Sequence, residues 1–159
     1  MRLAFAAALV LLATPLLAKD RLGAYQDWAA FKDPEVPRCY AIGSPEETNG
    51  AKTGGGGYVS VGFFPKSGLT HQIYVRLSRP RSANAGITLT VGGRRFALKP
   101  DGNGGWARDR TSDLAIVAAI RASQSLSVQS SGPGGNIIDA YALRGAASAI
   151  DAAALGCAR

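Results

Sequence analysis

Residues Ile87–Leu98, with the sequence ITLTVGGRRFAL, decide the fold class of this 159-residue chain. Apolar and polar side chains alternate on both sides of Gly92-Gly93, which is the pattern of strands with one buried face. Two adjacent glycines can supply the positive φ angles of a type I′ turn, so the stretch predicts a β-hairpin. Ile87, Leu89 and Val91 are expected to share its buried face.

The same alternation, interrupted by clusters of Gly and Pro, continues through most of the sequence. This spacing is typical of all-β sandwiches and barrels, and 47% hydrophobic residues are enough for one core. We therefore predict a mainly β, antiparallel β-sandwich of about eight strands in a single domain, residues 19–159. The predicted strands are Tyr25–Phe31, Arg38–Ile42, Tyr58–Phe64, Gln72–Ser78, Gly86–Val91, Arg94–Leu98, Leu126–Ser130 and Ile137–Leu143.

Two glycine-rich stretches are predicted to be connections. ETNGAKTGGGG, residues 47–57, is the clearest loop, because successive glycines lose much conformational entropy on ordering. A phosphate-binding loop is the alternative, but no helix with a following Lys-Ser/Thr completes that motif. GPGGN, Gly132–Asn136, is likewise expected to connect two strands.

Two segments follow helical spacing and predict two short helices. In TSDLAIVAAIRAS, residues 111–123, Thr111 or Ser112 can act as the N-cap. In GAASAIDAAALGCAR, residues 145–159, Gly156 is expected to end the helix in a left-handed conformation. The residues that share one face are Ile116, Val117 and Ile120 in the first helix, and Ala146, Ala149, Ile150, Ala153 and Cys157 in the second.

The first 18 residues have the composition of a signal peptide. Arg2 precedes an apolar run that ends before Thr14, and Ala18 offers a small residue for cleavage. The run is shorter than the roughly 20 residues that cross a bilayer as a helix. We expect cleavage after Ala18, no transmembrane anchor afterwards and a periplasmic or secreted protein. The alternative is a buried N-terminal helix.

Cys39 and Cys157 are the two cysteines of the sequence. In an oxidising compartment such a pair is most simply a disulfide, because neither a CxxC motif nor a His/Cys cluster offers metal or redox chemistry. The bond would close a loop of about 118 residues and hold the C-terminus against an early strand. Two reduced, buried thiols are the alternative.

The formal net charge of +7 permits attraction to anionic lipids, polysaccharides or nucleic acid. An exported chain without a nucleic-acid motif is a poor candidate for a DNA or RNA partner. Trp106 either packs in the core or pairs at the surface with Arg108 or Arg110. The residues of the candidate binding patch are Arg76, Arg79, Arg81, Trp106 and Arg108.

The sequence offers little catalytic chemistry. His71 is the single histidine, expected at the surface or at a strand edge, and no GxSxG motif is present. One histidine and two cysteines in a predicted disulfide leave no recognisable metal site. We therefore assign no catalytic residue, no metal and no cofactor, and retain a hydrolase centred on His71 only as an alternative.

Four short motifs, taken in order, resemble the invasion-associated locus B family of exported bacterial proteins. The similarity extends from Asp27 to the C-terminus, nearly the whole of the predicted mature chain. The motif residues are Asp27-Trp28; Cys39-Tyr40-Ala41 with Pro45; Trp106-Ala107 with Asp109; and a C-terminal set comprising the helix Asp113–Arg121, the strand Leu126–Val128, Asp139, Tyr141, Leu143, Gly145, Ala149 and Cys157.

The resemblance implies a β-rich periplasmic or secreted protein from a family named for assisting host-cell entry in some pathogens. We expect an exported cell-envelope protein that acts by binding an unidentified protein or envelope component. A periplasmic binding module for an anionic small molecule or glycan, using Arg76, Arg79 and Arg81, is the alternative.

Overall fold

The computed structural model describes residues 19–49, 51–52 and 56–158. The predicted signal peptide, residues 1–18, lies outside the described residues. Alternating residues build twelve strands in the described part of the chain, and every strand pairing there is antiparallel. The elements are β1 (Asp20–Tyr25), β2 (Trp28–Asp33), β3 (Arg38–Gly43), β4 (Glu47–Thr48), β5 (Ala51–Lys52), β6 (Tyr58–Phe64), β7 (Leu69–Arg76), β8 (Ile87–Val91), β9 (Arg94–Asp101), β10 (Gly104–Trp106), α1 (Arg110–Arg121), β11 (Ser125–Gly132), β12 (Gly135–Ala142) and α2 (Ala146–Cys157), with a short 3₁₀ helix at Pro65–Ser67.

Strand β9 joins the two halves of the sheet. Its first part pairs with β8, and its last three residues, Lys99 to Asp101, pair with β10. One half has the order β1-β2-β3-β6-β7-β10 and the other has the order β8-β11-β12-β4-β5. Both halves contribute to one cluster of buried side chains. The predicted mainly β, antiparallel class with two short helices is confirmed, although the strand count is higher than eight.

Most predicted strands are present with shifted ends, and the largest error is at Tyr25–Phe31. This stretch contains a hairpin, because Gln26 adopts a φ of 55° and Tyr25 pairs with Trp28 across the turn. The predicted loop 47–57 contains the two-residue strands β4 and β5, which pair with each other. Strand β10 was also missed, whereas Gly132–Asn136 connects two strands as predicted.

The tight turn at Gly92-Gly93 is confirmed. The two glycines have φ angles of 57° and 72°, and Val91 pairs with Arg94 across them. Ile87, Leu89 and Val91 are all buried, as their alternation predicts.

Both helices bury the predicted apolar faces, but their ends differ from the prediction. The N-cap of α1 is Asp109, whose carboxylate accepts a hydrogen bond from the Ser112 N–H at 2.7 Å, and not Thr111 or Ser112. Helix α2 continues through Gly156 to Cys157. A Cβ at Gly156 would lie 2.5 Å from Cδ1 of Leu22, so this glycine allows close packing on β1 and does not form a left-handed cap.

The predicted disulfide between Cys39 and Cys157 is formed. It joins the end of α2 to β3, and Cys39 is fully buried. Small residues on the inner face of α2 (Ala146, Ala149 and Ala153) are also fully buried, which lets the helix lie close to the sheet. The bond therefore fastens an element that is already packed.

Residues from opposite ends of the sequence meet beside α2. The Trp28 indole N–H donates to the Ala142 carbonyl at 2.9 Å, and Arg144 Nε donates to Asp27 at 2.7 Å. Gly145 has a φ of 83°, and a Cβ there would lie 1.8 Å from the Tyr25 carbonyl oxygen. These contacts give the Asp27-Trp28 motif and the segment before α2 a shared structural role.

Neither α1 nor α2, the two α-helices of the described residues, has the length and apolar character needed to cross a bilayer.

Candidate binding face

The outward side of β6 forms the floor of a shallow concavity. The opposite, inward side of this strand carries the buried residues Val59, Val61 and Phe63. Strand alternation therefore places Tyr58, Ser60, Gly62 and Phe64 on the outward side. Ser60 and Gly62 are small, and a Cβ at Gly62 would lie only 2.8 Å from the Phe64 ring. The floor is therefore low because the small residues Ser60 and Gly62 lie between the larger Tyr58 and Phe64.

Strand register brings aromatic side chains to both sides of this floor. Tyr40 of β3 pairs with Gly62, and Tyr74 of β7 pairs with Ser60. Trp106 of β10 pairs in turn with Tyr74. We use the name aromatic face for Tyr40, Tyr58, Phe64, Tyr74 and Trp106 together with Ser60 and Gly62. The concavity has a volume of about 330 Å³, and the Gln72 amide also lines it.

Ring contacts fix the β7 and β10 side of the aromatic face. The centroids of Tyr74 and Trp106 are 4.4 Å apart, and those of Tyr58 and Tyr74 are 5.9 Å apart. The Trp106 indole N–H donates to the Asp101 carboxylate at 2.9 Å. Burial, followed by the neighbouring Tyr58 and Asp101, raises the pKa of Tyr74. The Tyr74 hydroxyl therefore stays protonated at neutral pH and can donate to a ligand.

Two cations stand at the other end of the concavity. Lys19 and Arg38 line it, and both form ion pairs with Asp33, at 3.9 and 3.4 Å. Burial raises the pKa of the Asp33 carboxyl, but the Val36 N–H and then the charges of Arg38 and Lys19 outweigh burial and lower that pKa overall. Asp33 is therefore ionised at neutral pH, and the three groups together carry one net positive charge.

Arg38 retains hydrogen-bonding capacity. Its guanidinium lies over the Tyr40 ring, 5.0 Å from the centroid, and one nitrogen bonds Asp33. Its Nε is buried and has no hydrogen-bond partner among the described residues. The Arg38 side chain nevertheless remains 36% exposed, so the guanidinium N–H groups that reach the surface can donate to an incoming acceptor.

The structure does not bring the five residues of the sequence-predicted patch together. Trp106 belongs to the aromatic face, and Arg76, which is exposed and pairs with Tyr58, borders it. Arg79 donates to the Asn136 carbonyl at 2.7 Å. Arg81 donates to the carbonyls of Ser82, Ala83, Ala85 and Gly102. Arg108 is exposed and lines a different depression together with Phe96.

Arg81 therefore holds loops together, and the three arginines of the predicted strip have different surroundings: Arg76 is exposed, whereas Arg79 and Arg81 donate to backbone carbonyls. Arg76 is the last residue of β7, whereas Arg79 and Arg81 lie in the connection that follows this strand. The charge pattern in VRLSRPR gave no indication of these carbonyl contacts, because the accepting carbonyls belong to residues that follow the motif, including the distant Gly102 and Asn136.

His71 is half-buried and lies within β7, near its start. It adopts a φ of 61°, and its ring packs edge-on against Phe63 with centroids 4.9 Å apart. Its buried Nδ1 has no partner in the described part of the chain, whereas a catalytic histidine is usually oriented by a carboxylate at that atom. Burial, then the charges of Arg121 and Arg110, lower the pKa of His71. Within residues 19–49, 51–52 and 56–158, no three His, Cys, Asp or Glu side chains form a group that could hold a metal.

Comparison of the chain with models of known families, with curated proteins and with solved structures finds no match. The geometry and charge of the aromatic face are therefore the basis for assigning a function.

Sequence reasoning identified Trp106 but missed the rest of the face as a site. The available signal was the strict alternation of YVSVGFF, residues 58–64, in which rings and small residues occupy the side opposite the valines. The neighbours Tyr40 and Tyr74 lie far from this stretch in sequence, and only strand register brings them beside it.

Proposed function

We propose that the chain is an exported cell-envelope protein of the invasion-associated locus B type, and that it acts by binding through the aromatic face. The observation that carries the binding role is the set of five rings around a small-residue floor. Tyr and Trp side chains that combine apolar surface with a polar tip are enriched at recognition sites.

The placement of the rings supports binding over a purely structural role. Buried aromatic residues stabilise a core, but Tyr40, Tyr58, Phe64, Tyr74 and Trp106 lie outside the buried cluster and retain exposure. A concave group of large aromatic side chains on the outside of a sheet is unusual unless it is covered by a ligand or partner.

An oxidising location is favoured by the Cys39–Cys157 disulfide, because such bonds persist in the periplasm and outside the cell. The composition of residues 1–18 supports the same location. The family assignment rests on the motif resemblance, in which Asp27-Trp28, Tyr141 and Gly145 are motif residues with close structural contacts or burial. A role in host-cell entry is part of the proposal only through this resemblance.

Site-specific photo-crosslinking in intact cells tests the binding role. The full chain carries p-benzoylphenylalanine in place of Gln72, which lines the concavity, or in place of Gln124 as the matched control. Gln124 is exposed and lies away from the aromatic face, before β11. We expect an adduct of increased mass from position 72 and none from position 124. Absence of any adduct from position 72, with the protein exported and oxidised, would refute the proposal.

Export is tested on the same samples. Intact-mass spectrometry of the periplasmic fraction is expected to show a chain that begins at Lys19 and weighs about two hydrogens less than its reduced form. A retained N-terminal segment or two free thiols would contradict the proposed location.

A further inference from the structure

We infer that the ligand of the aromatic face is an acidic oligosaccharide, with a sugar ring stacked on one ring of the Tyr74 and Trp106 pair and a sugar carboxylate bound by Arg38 and Lys19. This inference deepens the proposed function and rests on it. Three properties of the face support this ligand: its shape, its hydrogen-bonding groups and its charge.

The shape of the face suits a ligand with flat apolar surfaces. Tyr74 and Trp106 are in contact, with centroids 4.4 Å apart and ring planes tilted by 48°, and Tyr58 lies on the other side of Tyr74 at a tilt of 50°. The rings therefore offer separate apolar faces at an angle to one another, and one sugar ring can stack on one of these faces. The C–H faces of a pyranose ring are apolar, whereas its edge carries hydroxyl groups, so it can stack on an aromatic side chain and still form hydrogen bonds. A volume of about 330 Å³ is at the lower end of the range for small-molecule sites and suits a short oligosaccharide.

Polar groups are distributed around the rings. Three tyrosine hydroxyls, the Gln72 amide and the Ser60 hydroxyl belong to residues that line the concavity. These neutral groups both donate and accept hydrogen bonds, which matches the edge of a sugar. A purely apolar partner would leave several of them without a partner after burial, and each would then cost free energy.

The charge distribution favours an acidic sugar over a neutral one. Lys19 and Arg38 share a single carboxylate, Asp33, and their side chains remain 53% and 36% exposed. The carboxylate at the opposite end, Asp101, already accepts from Trp106, and the exposed Arg76 borders that end. A sugar carboxylate can therefore form charge-assisted hydrogen bonds at the Arg38 end, and the formal net charge of +7 favours its approach.

Calorimetric titration of the mature, oxidised protein tests this inference. The probes are tetrasaccharides that contain glucuronate or galacturonate, and the same tetrasaccharides with each carboxylate reduced to an alcohol. At least one acidic probe is expected to bind, and reduction of its carboxylates is expected to weaken binding about tenfold or more, the loss for a hydrogen bond to a charged group.

Two variants locate the charge contact. Arg38→Gln and Lys19→Gln are each expected to weaken binding of the acidic probe and to leave the affinity for its reduced form unchanged within about twofold. Arg95→Gln removes an exposed cation that lies off the face and belongs to neither the face nor the predicted patch, so this matched control should bind like the wild type. Because Arg38 also bonds Asp33, a lower melting temperature in Arg38→Gln would leave Lys19→Gln as the deciding variant.

The outcomes separate the two proposals. Equal affinity for acidic and reduced probes would overturn the acidic-sugar inference and leave a sugar-binding face. Failure of every sugar probe, together with an adduct from position 72, would overturn the inference but not the proposed binding role. Failure of every sugar probe and of crosslinking would overturn both.

Discussion

Replacing Cys39 and Cys157 together by alanine is expected to lower the free energy of unfolding by about 5 kcal/mol. The disulfide spans a sequence separation of 118 residues, and the chain-entropy relation assigns about 5 kcal/mol at 25 °C to a loop of that length. Domains of this size are stable by about 5–15 kcal/mol in total, so the loss is a large fraction. The melting temperature should fall by roughly 10–20 °C.

Urea unfolding followed by tryptophan fluorescence measures this loss. The oxidised wild type, the reduced wild type and the double-alanine variant are compared at equal protein concentration. The last two should agree within about 1 kcal/mol if loop closure dominates, because the packing of α2 on β3 is otherwise retained. A difference below about 1 kcal/mol between the oxidised wild type and both other forms would refute the reasoning, since the contacts of α2 alone would then hold the C-terminus.

Two further predictions concern stability. Gly145→Ala should destabilise the fold by about 2–5 kcal/mol in urea unfolding, because a Cβ would overlap the Tyr25 carbonyl oxygen and the φ of 83° is unfavourable for alanine. The control is Gly134→Ala, in which no atom lies within 4 Å of the added Cβ, and its stability should lie within about 0.5 kcal/mol of the wild type. Equal losses of stability in the two variants would contradict this account. The pKa of His71 is lowered in the folded state, so its stabilising effect is complete above its ordinary value of 6.5 and is lost as the pH falls through the folded pKa. His71→Asn, which keeps a residue tolerant of positive φ, should therefore lose less stability than the wild type between about pH 7.5 and pH 5, and parallel profiles would count against burial of the neutral imidazole.

Local alternation predicted the strands that have one clearly apolar side. Tyr58–Phe64 has the predicted bounds, because valine and phenylalanine alternate there with polar or small residues. The hairpin inside Tyr25–Phe31 was missed because Gln26 adopts a positive φ without the Gly or Asn that usually marks such a turn. Strand β10 was missed because it contains glycines, which usually mark loops. Gly104 nevertheless lies in this strand, where a Cβ would lie 2.3 Å from the Val75 carbonyl oxygen, a contact that exists only after folding.

The candidate site could be predicted only in part for a similar reason. Alternation along one strand shows which side chains share a side, but register decides which strands place their rings together. Trp106 was identified from its own neighbours in the sequence, whereas its contact with Tyr74 depends on pairing between β7 and β10. The cationic cluster around Asp33 was missed because Lys19 reaches it from the beginning of the predicted mature chain.

The two tryptophans allow the most direct test of binding at the aromatic face. In a ¹H–¹⁵N correlation spectrum the Trp106 indole N–H reports on the face, and the buried Trp28 indole N–H, bonded to the Ala142 carbonyl, is an internal control. On titration with the acidic tetrasaccharides, the Trp106 signal should move and reach saturation while the Trp28 signal stays in place. A Trp106 signal that does not move at saturating sugar, or equal movement of both signals, would contradict the assignment of the ligand to this face.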